Sequence, residues 1–163
     1  MSAVISDTSP LRVLQALDQL NLLKALYTRV VVPPAVAREL GVPATHVPPL
    51  LLASLDFVQV VSPRGELPTW VRGLGRGEAE AIALALEHPG SELIVDDLEA
   101  RAVSRRMGIR VTGVLGVLVA ARKLRYTGPL TPQLAHVERV LNFRISAPLR
   151  SQVLRDVGEA DSP

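Results

Sequence analysis

The stretch Gly77–Val111, GEAEAIALALEHPGSELIVDDLEARAVSRRMGIRV, decides the fold. Ala79, Ile82, Ala83 and Leu86 recur at helical spacing, so residues 78–87 read as a helix opened by Gly75-Arg76-Gly77. Leu93-Ile94-Val95 is a short apolar run of strand length. Ala100, Val103 and Met107 resume the helical period over 98–107, and a second strand follows at 109–111, ahead of a helix at 114–124. Strands separated by helices imply parallel pairing, because a parallel neighbour is reached only through a long crossover.

Outward from this unit the alternation continues. A strand at 3–6 leads into a helix from Pro10 to about Leu20, with Ser9 as N-cap and proline at the first helical position. Leu22, Leu23 and Leu26 carry the apolar period further. Val30-Val31-Val32 is a strand stopped by Pro33-Pro34, which also start the next helix. A proline-rich loop over Gly41–Pro49 precedes an apolar turn at 50–52 and a strand at 57–61. Residues 62–77 hold two prolines and four glycines and read as a long connection, and helices follow near 132–141 and 147–157. The chain is expected to be one α/β domain over 1–157, with 158–163 a disordered tail. Its mainly parallel sheet is covered on both faces, and ligands should bind outside the strand carboxyl ends.

Composition narrows the class. At 48 % hydrophobic but 3 % aromatic, the core must be built from Leu, Val, Ile and Ala, which favours a layered α/β fold. The absence of cysteine excludes disulfides and thiolate metal sites and fits a reducing compartment. No secretory signal is visible, and the longest apolar stretch, Val114–Ala121, is too short to span a bilayer. A cytoplasmic protein is expected.

Net charge is only +2, yet residues 76–99 carry seven acids and one base while residues 100–163 carry eleven bases and four acids. A phosphate-backbone substrate calls for both, carboxylates to hold cations and basic side chains to hold the strand. Arg101 and Arg105, four apart on one helical face, are candidate phosphate contacts, and Ser9 is a further candidate for substrate binding.

Four acids fall where the alternating pattern returns the chain to one sheet edge: Asp7, Glu39, Glu78 and Asp97. Asp7 closes the first strand and is not needed as a cap if Ser9 serves. Glu39 lies beside an apolar stripe, where a solvated glutamate would be out of place. Glu78 stands in a first helical turn, where the helix dipole alone would account for it. Asp97 ends the 93–95 strand. Asp96 with Glu99 reads as a capping box, which leaves Asp96 a secondary candidate as a metal ligand. Glu80 and Glu87 read as solvated surface charge. The quartet is what a divalent-metal nuclease needs.

The stretches Ile5-Ser6-Asp7-Thr8-Ser9-Pro10-Leu11, Val32-Pro33 leading to Glu39-Leu40, Gly77–Ala85, and Val95-Asp96-Asp97 followed by Ala100-Arg101 resemble the PIN-domain nucleases. The likeness is closest to the prokaryotic branch akin to VapC-like toxins of toxin-antitoxin modules, and it covers residues 3–157. It also takes in Gly113, Leu115–Leu118 and Gly158-Glu159. Where the family often has threonine after the glycine matching Gly113, this chain has Val114, with Thr112 on the other side. The resemblance implies a parallel αβα sandwich and a Mg²⁺- or Mn²⁺-dependent ribonuclease, usually a homodimer, with a cognate antitoxin as a further partner. By position, Asp7, Glu39, Glu78 and Asp97 are its catalytic and metal-binding acids, with Asp96 an additional metal ligand. Hard cations and oxygen donors suit this chemistry, and no histidine is required as base.

Three other readings compete. Gly73-x-Gly75-x-Gly77 has neither the spacing nor the preceding strand of a dinucleotide site. Asp7-Thr8-Ser9 lacks the second acid of one phosphatase class. A binding module that kept the fold and lost catalysis is the third, against which the intact quartet speaks.

Overall fold

The computed structural model describes residues 3–159. Five strands, β1 (Val4–Ser6), β2 (Val30–Val32), β3 (Val58–Val60), β4 (Glu92–Ile94) and β5 (Arg110–Thr112), form one sheet in the order β3-β2-β1-β4-β5. Every neighbouring pair is parallel. Eight helices flank it among the described residues: α1 (Thr8–Ala16), α2 (Asn21–Tyr27), α3 (Pro34–Leu40), α4 (Arg76–Glu87), α5 (Leu98–Arg106), α6 (Val114–Lys123), α7 (Leu130–Leu141) and α8 (Ala147–Asp156).

Successive strand residues point to opposite faces. Ile5, Val31 and Leu93 pack with Ile82 and Leu84 of α4 and Val103 of α5. Val4, Val30, Val32 and Ile94 face the larger cluster, which holds Leu11, Leu14, Leu23, Leu118, Leu134 and Leu154. Both faces are therefore covered, which is why β1 and β2 read as unbroken apolar runs and not as alternation. On α6, Leu118 is fully buried, and Leu115 and Val119 are half-buried against the same core.

The strand order positions the site. The chain winds outward from β1 through β2 to β3, then returns to lay β4 on the other side of β1, so the order reverses between β1 and β4. Ser6 pairs with Ile94, and the Asp7 N–H continues the ladder to the Ile94 carbonyl at 3.0 Å. The carboxyl ends of β1 and β4 thus meet at the switch point, where open α/β sheets bind ligands.

Three local expectations are corrected. Helix α1 starts at Thr8 with Asp7 at the N-cap position, so Ser9 is an exposed first-turn residue and not the cap. Pro10 is tolerated at the third helical position because first-turn N–H groups have no intrahelical partner. Leu22, Leu23 and Leu26 belong to a separate helix, because the left-handed Asp18 (φ 55°) ends the first turn sequence before Asn21. The tail is ordered through Glu159, whose carboxylate accepts from the Leu130 N–H (2.8 Å), the Thr131 N–H (2.9 Å), the Thr131 hydroxyl (2.8 Å) and Arg122 Nε (3.2 Å). It satisfies the first turn of α7, which has no side-chain cap of its own. Residues 160–163 lie outside the described residues.

These donors outweigh the burial that would raise the Glu159 carboxyl, and hold it below its ordinary value of 4.5. A group depressed in the folded state stabilises above its unfolded pKa and loses that contribution as pH falls through the folded value. Glu159→Gln should therefore lower stability by about 1.5–3 kcal/mol at neutral pH, the magnitude of hydrogen bonds to a charged group. Denaturant titration should show the deficit shrinking below about pH 4.

Candidate active site

A cavity of about 510 Å³ opens at the carboxyl ends of the strands, with Asp7, Glu39 and Glu78 in its wall beside Thr8, Arg12 and Gly77. Asp7 is buried at 4 % exposure. Its backbone is held in the strand ladder to Ile94, which fixes where the side chain is rooted. Burial is the main force on its carboxyl, pushing the pKa from 3.8 up to about 7; the Thr8 backbone N–H opposes this, and repulsion from Glu78, Glu39 and Asp96 adds to it.

Glycine sets how closely the acids meet. A Cβ on Gly77 would stand 2.9 Å from Glu39 Oε1 and 3.1 Å from Asp7 Oδ1, so the bare backbone of α4 lies directly against both carboxylates. Glu39 sits on the outer side of α3 and is exposed, yet the Thr8 hydroxyl donates to its Oε2. Arg12 Nη2 donates to the Glu39 carbonyl at 2.6 Å and the Val42 carbonyl at 2.7 Å, fixing the end of α3. The buried carboxylate of Glu80 accepts from the Ala35 N–H at 2.9 Å and from Arg76 Nε at 2.9 Å, pinning α4 to the start of α3. Glu80 is therefore not solvated surface charge.

Glu78 reaches back to the Gly75 N–H at 2.7 Å, the reciprocal half of a capping box whose other half a glycine cannot supply. Its pKa is raised chiefly by burial, against the Gly75 bond and with repulsion from Asp97, Glu39 and Glu99.

The Asp96-Asp97 pair reverses the expected division of labour. Asp97 is the exposed N-cap of α5 and accepts from the Ala100 N–H at 2.8 Å, so the Asp96–Glu99 capping box does not form. Asp96 turns inward: Oδ1 accepts from the Val114 N–H at 3.0 Å, and Oδ2 is buried with no hydrogen-bond partner. Burial raises its pKa against the Val114 N–H and the Arg101 charge. A Cβ on Gly113 would stand 2.6 Å from Asp96 Oδ1 and 2.7 Å from Arg101 Nη1, so any side chain there would displace both groups. A backbone N–H, and not a threonine hydroxyl, orients the acid at that turn.

Of the expected substrate contacts, Ser9 lines the cavity, Arg101 is half-buried with Nη1 on the Val95 carbonyl at 3.0 Å, and Arg105 is exposed in the last turn of α5. Sequence reading missed Thr8, Arg12 and Glu80. Arg12 is one turn after Thr8, a spacing that places both on one face of α1 and was available as a signal.

Among the described residues no three Asp, Glu or His side chains stand as a ready-made metal cage, and Glu39, Glu78, Asp97 and Asp96 are each bonded to a local donor. Their chemistry nevertheless fits a hard divalent cation: every donor is oxygen, Asp7 is pushed toward protonation by burial and by its acidic neighbours, and Asp96 Oδ2 is an orphaned buried acceptor.

A family model described as DUF3368, PIN domain, matches residues 3–159. No curated protein matches the chain. Among solved structures, a PilT N-terminus domain protein from the hyperthermophilic archaeon Sulfolobus solfataricus P2 is similar at 22 % identity and TM-score 0.50, covering 74 % of this chain and 93 % of that one. At that identity the likeness concerns the fold.

Because the folded Asp7 carboxyl titrates near 7 and the unfolded one near 3.8, metal-free protein should lose stability as pH rises between those values. The full loss, present above about pH 7, is on the order of 4 kcal/mol at 1.36 kcal/mol per unit. Thermal midpoints measured in chelator from pH 5 to 8 should fall for the wild type and fall less for Asp7→Asn, which should be the more stable protein at pH 8. A parallel pH dependence in both proteins would show that Asp7 is not the buried charge responsible.

Proposed function

The chain belongs to the PIN-domain family, and from that premise we propose that it is a divalent-metal-dependent endoribonuclease hydrolysing RNA phosphodiester bonds. PIN domains are generally nucleases, and divalent metals are their usual cofactors. The observation that carries the reading for this chain is the meeting of the Asp7 and Glu39 carboxylates over the bare backbone of Gly77, at the sheet's switch point. A bound Mg²⁺ or Mn²⁺ would neutralise the phosphate and acidify a water for attack on phosphorus. Asp7, Glu39 and Asp96 would hold the cation, with Glu78 and Asp97 completing the set by leaving the Gly75 and Ala100 N–H groups. Thr8 and Arg12 orient Glu39, and the Arg101 charge opposes the burial that raises the Asp96 carboxyl.

The arginine-rich half of the chain supports RNA as the substrate, and Ser9, Arg101 and Arg105 are the proposed substrate contacts. The finer reading is a VapC-like toxin, a cytoplasmic homodimer held in check by a cognate antitoxin. No helix among the described residues is long and apolar enough to cross a membrane. A small DNA-binding protein encoded immediately upstream would support the toxin reading. The alternative is a PIN-fold RNA-processing or nucleic-acid-binding protein with weak or lost catalysis, which the side chains parked on local donors would suit.

Incubating single-stranded RNA with the protein should give cleavage in Mn²⁺ or Mg²⁺ and none in chelator. Asp7→Asn should lose at least a hundredfold in rate, an effect of the size typical for a group that stabilises transition-state charge. Metal-independent cleavage, or full activity in the variant, would defeat the metal-nuclease reading. Sedimentation at micromolar concentration should give a dimer, and a species of 17.5 kDa alone would remove that part of the proposal.

A further inference from the structure

The connection between α7 and α8 enters the carboxylate cavity, and the nuclease reading leaves it unused. Asn142 adopts a left-handed backbone (φ 50°) at the end of α7, and the chain turns there to present Phe143 and Arg144. Phe143 lines the carboxylate cavity, and it also lines a second cavity of about 610 Å³ that holds Asp96, Arg101, Arg144 and Gln152. Both volumes fall within the range of small-molecule sites, roughly 300–1,000 Å³.

The chain has two Phe, two Tyr and one Trp. Of these, only Phe143 lines the carboxylate cavity. Phe57, by contrast, is buried in the core at 4 % exposure. Phe143 is half-buried against the larger core, which anchors the ring while leaving part of it on the two cavities. The carboxylate cavity sets three acids, Asp7, Glu39 and Glu78, against Arg12, whereas the second cavity brings Arg101 and Arg144 beside Asp96 and Asp156, so the guanidinium groups lie on the second side of the ring. Aromatic rings on which bases stack, flanked by cations for the backbone, are the means by which proteins hold single-stranded nucleic acid without reading its sequence.

We propose that Phe143 is a stacking platform for the base next to the scissile phosphate, and that Arg144 and Arg101 hold the strand as it passes into the second cavity. The proposal rests on the nuclease reading for which phosphate reacts, and it narrows the substrate to RNA with an unpaired, unstacked base at that position. A duplex keeps its bases stacked on one another and offers no free face to the ring.

The test uses the full chain carrying Asp7→Asn, a fluorescent single-stranded RNA, and a set of the same RNA with one base at a time removed. For the protein retaining Phe143, removing the base at one position should weaken binding roughly five- to a hundredfold, the range of base–aromatic stacking. Phe143→Leu, which keeps the apolar wall, should bind the intact RNA as weakly and should not respond to the missing base. Phe143→Trp should bind as the parent does. Binding by Phe143→Leu equal to the parent, insensitivity to base removal at every position, or no RNA binding at all would overturn the platform. Thermal midpoints of the Leu and Trp variants separate stacking from loss of fold. Metal-dependent cleavage, measured in parallel with Asp7 intact, keeps the two claims apart: its absence with the stacking result intact would remove only the nuclease reading.

Discussion

The structure turns on one carboxylate rooted at the buried end of the central strand. The parallel ladder between β1 and β4 continues through the Asp7 N–H, so the backbone that makes the sheet also places Asp7 beneath its edge, with acids from α3, α4 and the end of β4 around it. Burying a charge without a partner is among the most expensive arrangements a fold can hold. Here the charge is tolerated by shifting toward protonation, and the remaining elements limit the damage. Thr8 takes up Glu39, Gly75 takes up Glu78, Ala100 takes up Asp97, and Val114 takes up half of Asp96. These bonds steady the surrounding turns and helix starts but bring no positive charge to Asp7, whose natural complement is a cation.

The fold was legible because its signals are long and redundant. The α4–β4–α5–β5 unit declares its two periods within one run of sequence, and the prolines before α3 coincide with the end of β2. The site was legible to the level of which segments bring acids to the sheet edge, since strand ends are fixed by the same pattern. The choice between Asp96 and Asp97 was not. Both follow β4, and either could satisfy the first turn of α5; the decision falls to Gly113, far along the chain, whose missing side chain leaves room for Asp96 against α6.

Glu80 escaped for a related reason. Its position on α4 faces the start of α3, and the sequence of α4 alone cannot say that another helix covers that side. The carboxylate is buried because Ala35 needs an acceptor for a first-turn N–H and Pro33 precedes it without a side-chain cap. Glu159 follows the same logic at α7, where the start of the helix has no cap and an acid from the far end of the chain supplies one. In both cases the helix N-terminus is the fixed demand and the acid that meets it is set by tertiary contact.

The same demand distinguishes the acids from one another on the metal-nuclease proposal. A carboxylate bonded to a backbone N–H gives up a charge-assisted bond, worth about 1.5–3 kcal/mol, if it turns to a cation. Glu78 and Asp97 carry that cost and also serve as the caps of α4 and α5, so drawing them in loosens two helix starts. Asp7 carries no such side-chain cap bond, and Asp96 offers Oδ2 while keeping its Val114 bond on Oδ1. On this accounting Asp7 and Asp96, the two acids rooted at the adjacent ends of β1 and β4, give up least on turning to a cation. The sheet ends, through Asp7 and Asp96, would then anchor the cation, and α3 would add Glu39, which already meets Asp7 over Gly77.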